Sequence, residues 1–220
     1  MSRRNNVHVN PTDLDLKRLH STMIQEQIIE RDIACEKTIK AMRKVPRHRF
    51  LPQSMWGHAY DDRPQTIGHG QTISQPYIVA LMTSQFGHLP KGSRILEVGS
   101  GCGYQTAILV EMGFEVHSIE IVPALAEQSQ RVLMDIGLMP TVLTNADGKL
   151  GIPESAPFDG IIAAACGEEI PQQWTHQLAE GGVIVAPVEG ERSQLLVRID
   201  RIGDKMNRRI LCGVRFVKLV

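Results

Sequence analysis

The chain reads as α/β: a doubly wound, mostly parallel sheet, with N-terminal helices before it and a C-terminal antiparallel strand pair after it. Three observations predict this. Between residues 94 and 188, short apolar runs alternate with helix-period segments, the pattern of parallel strands joined by crossover helices. One run, residues 158–164, is apolar at nearly every position, as a strand buried on both faces should be. Past Gly190 the helical pattern stops, and two strand-like runs follow, at 195–202 and 209–220.

Residues 1–11 are polar and are expected to be ill-ordered. Thr12 is a capping residue, and Leu14, Leu19, Met23, Ile24 and Ile28 after it fall on one helical stripe. Residues 35–45 read as a second helix stopped by Pro46. From 50 to 74 no period is sustained, and Pro, Gly, His, Tyr and Asp dominate; a stretch of that length in a globular chain usually carries function. Helical spacing returns over 76–86. Strands are then expected at 94–98, 115–120, 141–145, 158–164 and 183–188. Helices are expected at 104–112, 123–136 and 171–179, the last ended by Gly181-Gly182. Pro123 suits a first helical turn, where its missing N–H costs nothing.

Composition excludes several classes. The 220 residues carry 24 Lys+Arg and 24 Asp+Glu, so the chain lacks the basic surplus of a polyanion binder, and no nucleic-acid partner is expected. With 42% hydrophobic and 22% charged residues it is not a disordered chain. No apolar region follows the basic start at Met1, and no run approaches a membrane span, so a cytoplasmic location and no membrane partner are expected. Cys35, Cys102, Cys166 and Cys212 are scattered, with no C-x-x-C pair; reduced thiols and no metal site are expected.

The sharpest local signal is Glu97-Val-Gly99-Ser100-Gly101-Cys-Gly103 at the end of the first strand of the alternating region. Glycines there let the backbone turn tightly and approach a ligand at a helix N-terminus. Glu120 ends the next strand, seventeen residues beyond Gly103, where a carboxylate can accept both hydroxyls of a ribose. Together they indicate an adenosine-type cofactor. The spacing is G-x-G-x-G rather than the G-x-G-x-x-G that admits a pyrophosphate, and no Lys-Ser/Thr P-loop is present. That favours S-adenosylmethionine, which has no phosphates, over NAD. Asp147-Gly148 follows the third strand, at the sheet edge where ligands bind in open α/β folds, and Asp147 can take an adenine amino group.

The second concentration is Gln71-Thr72-Ile73-Ser74 before Pro76, side-chain amide and hydroxyl groups beside the free N–H groups of a helix start. That environment suits a carboxylate; Ser74 could equally cap the helix. His69 reads as a packed loop histidine rather than a base. No Ser/His/Asp order or G-x-S-x-G elbow is present.

Residues 60–80 (YDDRPQTIGHGQTISQPYIVA), 95–107 (ILEVGSGCGYQTA), 158–171 (FDGIIAAACGEEIP) and 178–188 (LAEGGVIVAPV) closely resemble protein-L-isoaspartate O-methyltransferases. The resemblance runs from about residue 19 to 220, and its IGHGQTIS-x-P block is the most specific part. It implies a Rossmann-like class I methyltransferase acting on the free α-carboxyl of L-isoaspartyl residues in damaged proteins and peptides. The ester would then collapse to a succinimide whose hydrolysis returns some aspartyl.

Carried over residue by residue, Ser74 matches the active-site serine, and Gln71–Ser74 a segment that also approaches the cofactor. Gly99, Gly101 and Gly103 match its glycine loop, Glu120 its ribose-binding acid, and Asp147-Gly148 its adenine-side pair. The chain departs from the family at Cys166-Gly167, at Lys218 and at Gln65-Thr66, and Cys166 and Lys218 are expected near the substrate mouth. A single methyltransferase domain acting as a monomer is expected: 1–89 for helices and substrate loop, 90–190 for the cofactor core, 191–220 for the last strands. Two alternatives stand beside it: a class I methyltransferase for another carboxylate, an amine or a small metabolite, and a non-catalytic module that only binds the cofactor.

Overall fold

The sheet grows outward from an apolar central strand, and its helices follow from where each apolar stripe can be buried. The computed structural model describes residues 11–220, so the ill-ordered reading of the N-terminus lies, apart from Pro11, outside the described residues. Helix α1 (Asp13–Thr22) starts on a capping box: Thr12 Oγ1 accepts from Asp15 N at 3.2 Å, and the Asp15 carboxylate accepts from Thr12 N at 3.1 Å. The single helix expected over this stretch widens into a π-helical turn at Met23–Ile28. The wider turn lets Met23, Ile24 and Ile28 all face the core, which a uniform 3.6-residue period does less well. Helix α2 (Glu36–Lys44) stops before Pro46 as expected.

The aperiodic stretch contains more order than its composition suggests. Two short 3₁₀ turns (Arg47–Phe50, Gln53–His58) lead into a hairpin of β1 (Gln65–Gly68) and β2 (Gln71–Ile73). Gly68, His69 and Gly70 all take left-handed backbone at its tip. His69 is exposed there, which corrects its reading as a packed histidine. Helix α3 (Pro76–Ser84) returns the chain to the core.

Next come β3 (Arg94–Val98), α4 (Tyr104–Glu111), β4 (Glu115–Glu120), α5 (Pro123–Asp135), β5 (Val142–Asn145), β6 (Phe158–Ala163), α6 (Gln172–Gln177), β7 (Leu178–Val188), β8 (Gln194–Ile202) and β9 (Lys205–Val214). The seven-stranded sheet has the order β5-β4-β3-β6-β7-β8-β9. The pairs β3–β4, β4–β5, β3–β6 and β6–β7 are parallel, and β7–β8 and β8–β9 antiparallel. The chain leaves β3 toward β4 on one side and returns to β6 on the other, so a crevice opens at the carboxyl ends of β3 and β6.

Two boundaries differ from expectation. The helix expected at 171–179 ends at Gln177, and the chain is already extended at Leu178, which is 1% exposed and pairs with Phe158. Burying Leu178 against the sheet prevails over helix continuation, and a bulge containing Gly181 (φ 72°) absorbs the extra residues. The strand expected at 209–220 runs instead from Lys205 to Val214. Residues 215–220 leave the sheet and cross its carboxyl end, where Cys166 N donates to Val217 O and Leu219 N to Cys166 O, both at 2.8 Å.

Buried side chains form clusters on the two faces of the sheet. On one face the backbone of Gly160 in β6 lies so close to Phe86 that a Cβ would sit 2.7 Å from its ring and 2.6 Å from Ile95 Cδ1. Both neighbours are fully buried and cannot swing away. Gly160→Ala is therefore expected to cost about 1–3 kcal/mol. A urea titration should show a lower midpoint with an unchanged slope, and an unchanged midpoint would count against this packing.

Candidate active site

The turn between β3 and α4 is built from three left-handed glycines: Gly99 (φ 87°), Gly101 (φ 53°) and Gly103 (φ 88°). A Cβ on Gly103 would meet Leu133 Cδ1 at 3.1 Å and Ser129 Cβ at 3.2 Å, and one on Gly101 would meet Ile67 Cδ1 at 3.3 Å. The loop is thus squeezed between α5 and the β1–β2 hairpin. Its shape is held electrostatically as well. Glu120 Oε2 accepts from Gly101 N at 2.7 Å and Oε1 accepts from Val122 N at 2.9 Å, leaving the outer lone pairs of this carboxylate toward the crevice.

Above the loop is a cleft with about 590 Å³ of empty space open to solvent. Val98, Gly99, Gly101, Glu120 and Gly148 line one side, Gln71 and Thr72 another, and Val217–Val220 a third. Gly148 is required at the floor, since a Cβ there would lie 2.4 Å from Val98 Cγ1. Asp147 caps the turn that follows, with Oδ1 accepting from Lys149 N at 2.9 Å; Gly148, not Asp147, supplies the wall. Two buried side chains hold this turn from behind. Trp174 Nε1 donates to Gly148 O, and Gln177 bonds Ile152 N and Leu150 O, each at 2.8 Å.

Two further cavities adjoin the cleft. One reaches under the glycine loop and is lined by Ser100, Cys102, Tyr104 and Gln105 with Thr72, Ile73 and Ser74. The other lies between Ser74, Gln75 and Ile78 and the C-terminal segment Gly213–Val217. Thr72 and Ala164 border all three, and the cavity under the loop is walled by the glycine loop and the hairpin together. Ser74 faces this space and does not cap α3: the N-cap position is Gln75, which makes no side-chain cap bond.

Glu97 lines none of these cavities. Its side chain turns beneath the loop, 1% exposed, and Oε2 accepts from Thr106 Oγ1 at 2.6 Å and Ser118 Oγ at 2.7 Å. Oε1 has no partner among the described residues. Burial pushes its pKa up to about 7 against the pull of the two hydroxyls. Cys102, inside the loop, is likewise raised by burial to about 11 and stays a thiol.

The predicted residues Gln71, Thr72, Ile73, Ser74, Gly99, Ser100, Gly101, Glu120 and Gly148 therefore converge, Gly103 shapes the loop from behind, and Glu97 and Asp147 stand one layer back. The sequence reading missed the wall formed by 213–220 apart from Lys218, the rim residue Ile121 (41% exposed) and the support from Trp174 and Gln177. The motif spacing carries no sign of these contacts. Lys218 does line the cleft, whereas Cys166 sits behind it, 3% exposed, its thiol raised to about 11 chiefly by burial and further by nearby Glu189.

Comparison with known proteins agrees with this arrangement. A family model for protein-L-isoaspartate(D-aspartate) O-methyltransferase matches residues 17–220. The chain belongs to this family. Among its relatives, the protein-L-isoaspartate O-methyltransferase of Opitutus terrae is 50% identical over 196 residues, covering 89% of this chain and 84% of that protein. One from Syntrophobacter fumaroxidans is 42% identical over 207 residues, covering 94% and 96%. A Plasmodium falciparum crystal structure assigned to the family, in complex with S-adenosyl-L-homocysteine, superposes with a TM-score of 0.80 at 26% identity, covering 91% of this chain and 98% of that one.

The buried acid gives a pH prediction. Glu97 stays protonated in the folded chain up to about pH 7 but ionises near 4.5 when unfolded. Its contribution to stability is complete below 4.5 and is lost as the pH rises through about 7. In Glu97→Gln the amide oxygen can still accept from both hydroxyls, and no charge develops. The melting temperature of the variant relative to wild type should climb between pH 5 and pH 8; a pH-independent difference would show that Glu97 does not titrate in this range.

Proposed function

We propose that the chain transfers a methyl group from S-adenosyl-L-methionine to the free α-carboxyl of L-isoaspartyl residues in damaged proteins and peptides. The following backbone nitrogen then attacks the ester, methanol leaves, and hydrolysis of the resulting succinimide returns some aspartyl. The observation that carries this reading is a single cavity walled by both Ser74 and the glycine loop. Gly99, Ser100 and Gly101 line it on one side and Thr72, Ile73 and Ser74 on the other. Family membership supports the same activity, as does the structural relative crystallised with S-adenosyl-L-homocysteine.

The residues present suit the cofactor. Three left-handed glycines keep side chains out of its path, and Glu120 faces the cleft as a ribose acceptor. Apolar Val98 and Ile119 give a floor against which an adenine can pack. Gln71, Thr72, Ile73 and Ser100 border the end nearest the hairpin, and Gly148 the far end, with Asp147 behind it capping the turn. When bound, S-adenosyl-L-methionine supplies a methyl group already activated by a sulfonium.

The chain's own task is then orientation. A carboxylate is already nucleophilic, so no base is needed; Ser74 holds the substrate carboxylate by a hydrogen bond, and the surrounding walls strip away its water. We assign residues 1–89 to presenting the substrate, 90–190 to holding the cofactor and 191–220 to closing the crevice. We further read the chain as a monomer of the cytoplasm acting without nucleic acid. All four cysteines are free, as suits a reducing compartment, and among the described residues no helix is long and apolar enough to cross a membrane.

The deciding experiment is methyl transfer from labelled cofactor to an isoaspartyl peptide and to its aspartyl twin. Label should enter the first alone; no label in either, or equal label in both, would end the reading. Ser74→Ala is expected to lower turnover about tenfold to a hundredfold, the worth of one hydrogen bond to a charged group. Cofactor affinity should change far less, and normal turnover would remove Ser74 from its role. Glu120→Ala should weaken cofactor binding by about 1–3 kcal/mol, since it removes an acceptor and also releases Gly101 N and Val122 N. Calorimetry should resolve this, and wild-type affinity would count against the assignment.

A further inference from the structure

Arg47 is fully buried and has no carboxylate beside it among the described residues. Its Nε donates to Ala59 O at 2.8 Å, its guanidinium lies 5.0 Å from the centroid of the Tyr104 ring, and both terminal nitrogens lack partners among the described residues. A buried cation without a counter-ion costs stability that an apolar side chain of the same length would avoid. The two things it touches are distant in sequence. Ala59 lies on the segment leading to the hairpin that carries Ser74, and Tyr104 is the first residue of α4, directly after the glycine loop.

The neighbours of Ala59 are held in the same way. His58 O accepts from Gln65 Nε2 at 2.7 Å, and Tyr60 O accepts from Gln27 Nε2 at 2.8 Å. Three consecutive carbonyls are therefore gripped by three side chains, and only the middle grip reaches on to the cofactor loop. The Tyr104 ring is also fixed from a second direction by Phe50, edge-on at 5.4 Å.

We propose that Arg47 is a positioning residue for methyl transfer, setting the substrate hairpin against the glycine loop by holding Ala59 O and Tyr104 at once. The role rests on the methyl-transfer reading above. It asks for a long cationic donor, which Arg fills best because one planar group donates in its plane to Ala59 O and lies over the Tyr104 ring. Small displacements of a bound nucleophile cost large factors in rate, so losing this strut should act on the chemical step more than on cofactor binding.

The test uses the full-length chain, with turnover on an isoaspartyl peptide expressed per cofactor-binding site and S-adenosyl-L-homocysteine affinity measured by calorimetry. Arg47→Met keeps the length and volume of the side chain and should lower kcat at least tenfold with the dissociation constant within threefold of wild type. Arg47→Lys keeps a cationic donor for Ala59 O and should recover kcat to within threefold of wild type. Wild-type kcat per site in Arg47→Met would overturn the proposal whatever its melting temperature, as would a Lys variant no better than Met. Should Arg47→Met fail to fold, Arg47→Gln, a shorter neutral donor that keeps a partner for Ala59 O but withdraws the cation from the Tyr104 ring, decides. A fall in kcat of threefold or more with intact affinity supports the strut, and an unchanged kcat overturns it. An inactive wild type would remove the underlying reading, whereas an active wild type with an equally active Arg47→Met removes only the role of Arg47.

Discussion

The carboxylate of Glu120 is the constraint around which the crevice is arranged. It ends β4, accepts from Gly101 N at 2.7 Å and from Val122 N at 2.9 Å, and so joins the carboxyl ends of two parallel strands through the loop between β3 and α4. A loop with three left-handed residues has little reason of its own to adopt one shape, because glycine loses more conformational freedom on folding than any other residue. A charge-assisted hydrogen bond from within, α5 packed behind Gly103 and Ile67 resting above Gly101 supply that reason together. The groups facing the cleft are thus held by contacts within the protein itself.

The second half of the site depends on the first for its position. The β1–β2 hairpin is a two-stranded ribbon, too small to be stable alone, and it stands because Ile67 and Ile73 are buried against the core while Arg47, Gln27 and Gln65 hold the chain leading to it. The C-terminal segment closes the opposite side through its main-chain pairing with Cys166. Polar side chains do the gripping, and backbone carbonyls are what they grip, so the lobe is located without demanding much of its own sequence.

Much of this was legible beforehand, for identifiable reasons. The strands β3 and β6 announced themselves because burial on both faces leaves mostly apolar side chains, whereas β4, with His117, Ser118 and Glu120 buried, was placed by its position in the strand-helix alternation. The glycine run and Glu120 were readable because left-handed backbone and a strand-end acid are local requirements with local signatures. What escaped was non-local. Leu178 abandons the helix pattern for a partner, Phe158, twenty positions earlier. Residues 215–220 look like strand but pair with Cys166, and their place over the cleft depends on a turn at Gly203 that brings β9 back earlier than its apolar residues indicate. Glu97 sits in the most ligand-like motif of the chain yet serves Thr106 and Ser118, because side chains alternate along β3 and its neighbour Val98 takes the cleft face.

The register of β3 also governs the order in which the crevice can be assembled. Arg94 pairs with Glu115 across a short helical crossover, whereas Ile95 pairs with Gly160 only after α4, β4, α5 and β5 have all intervened. Closing the first of these loops costs less chain entropy than closing the second, so β3, the glycine turn, α4 and β4 form the low-contact-order part of the molecule. Glu120 and Gly101 both lie inside that part, and their hydrogen bond can close while β6, the hairpin and the C-terminal segment are still searching for their places. On this view the half of the crevice that receives an adenosine also acts, during folding, as the template on which the more distant half is laid.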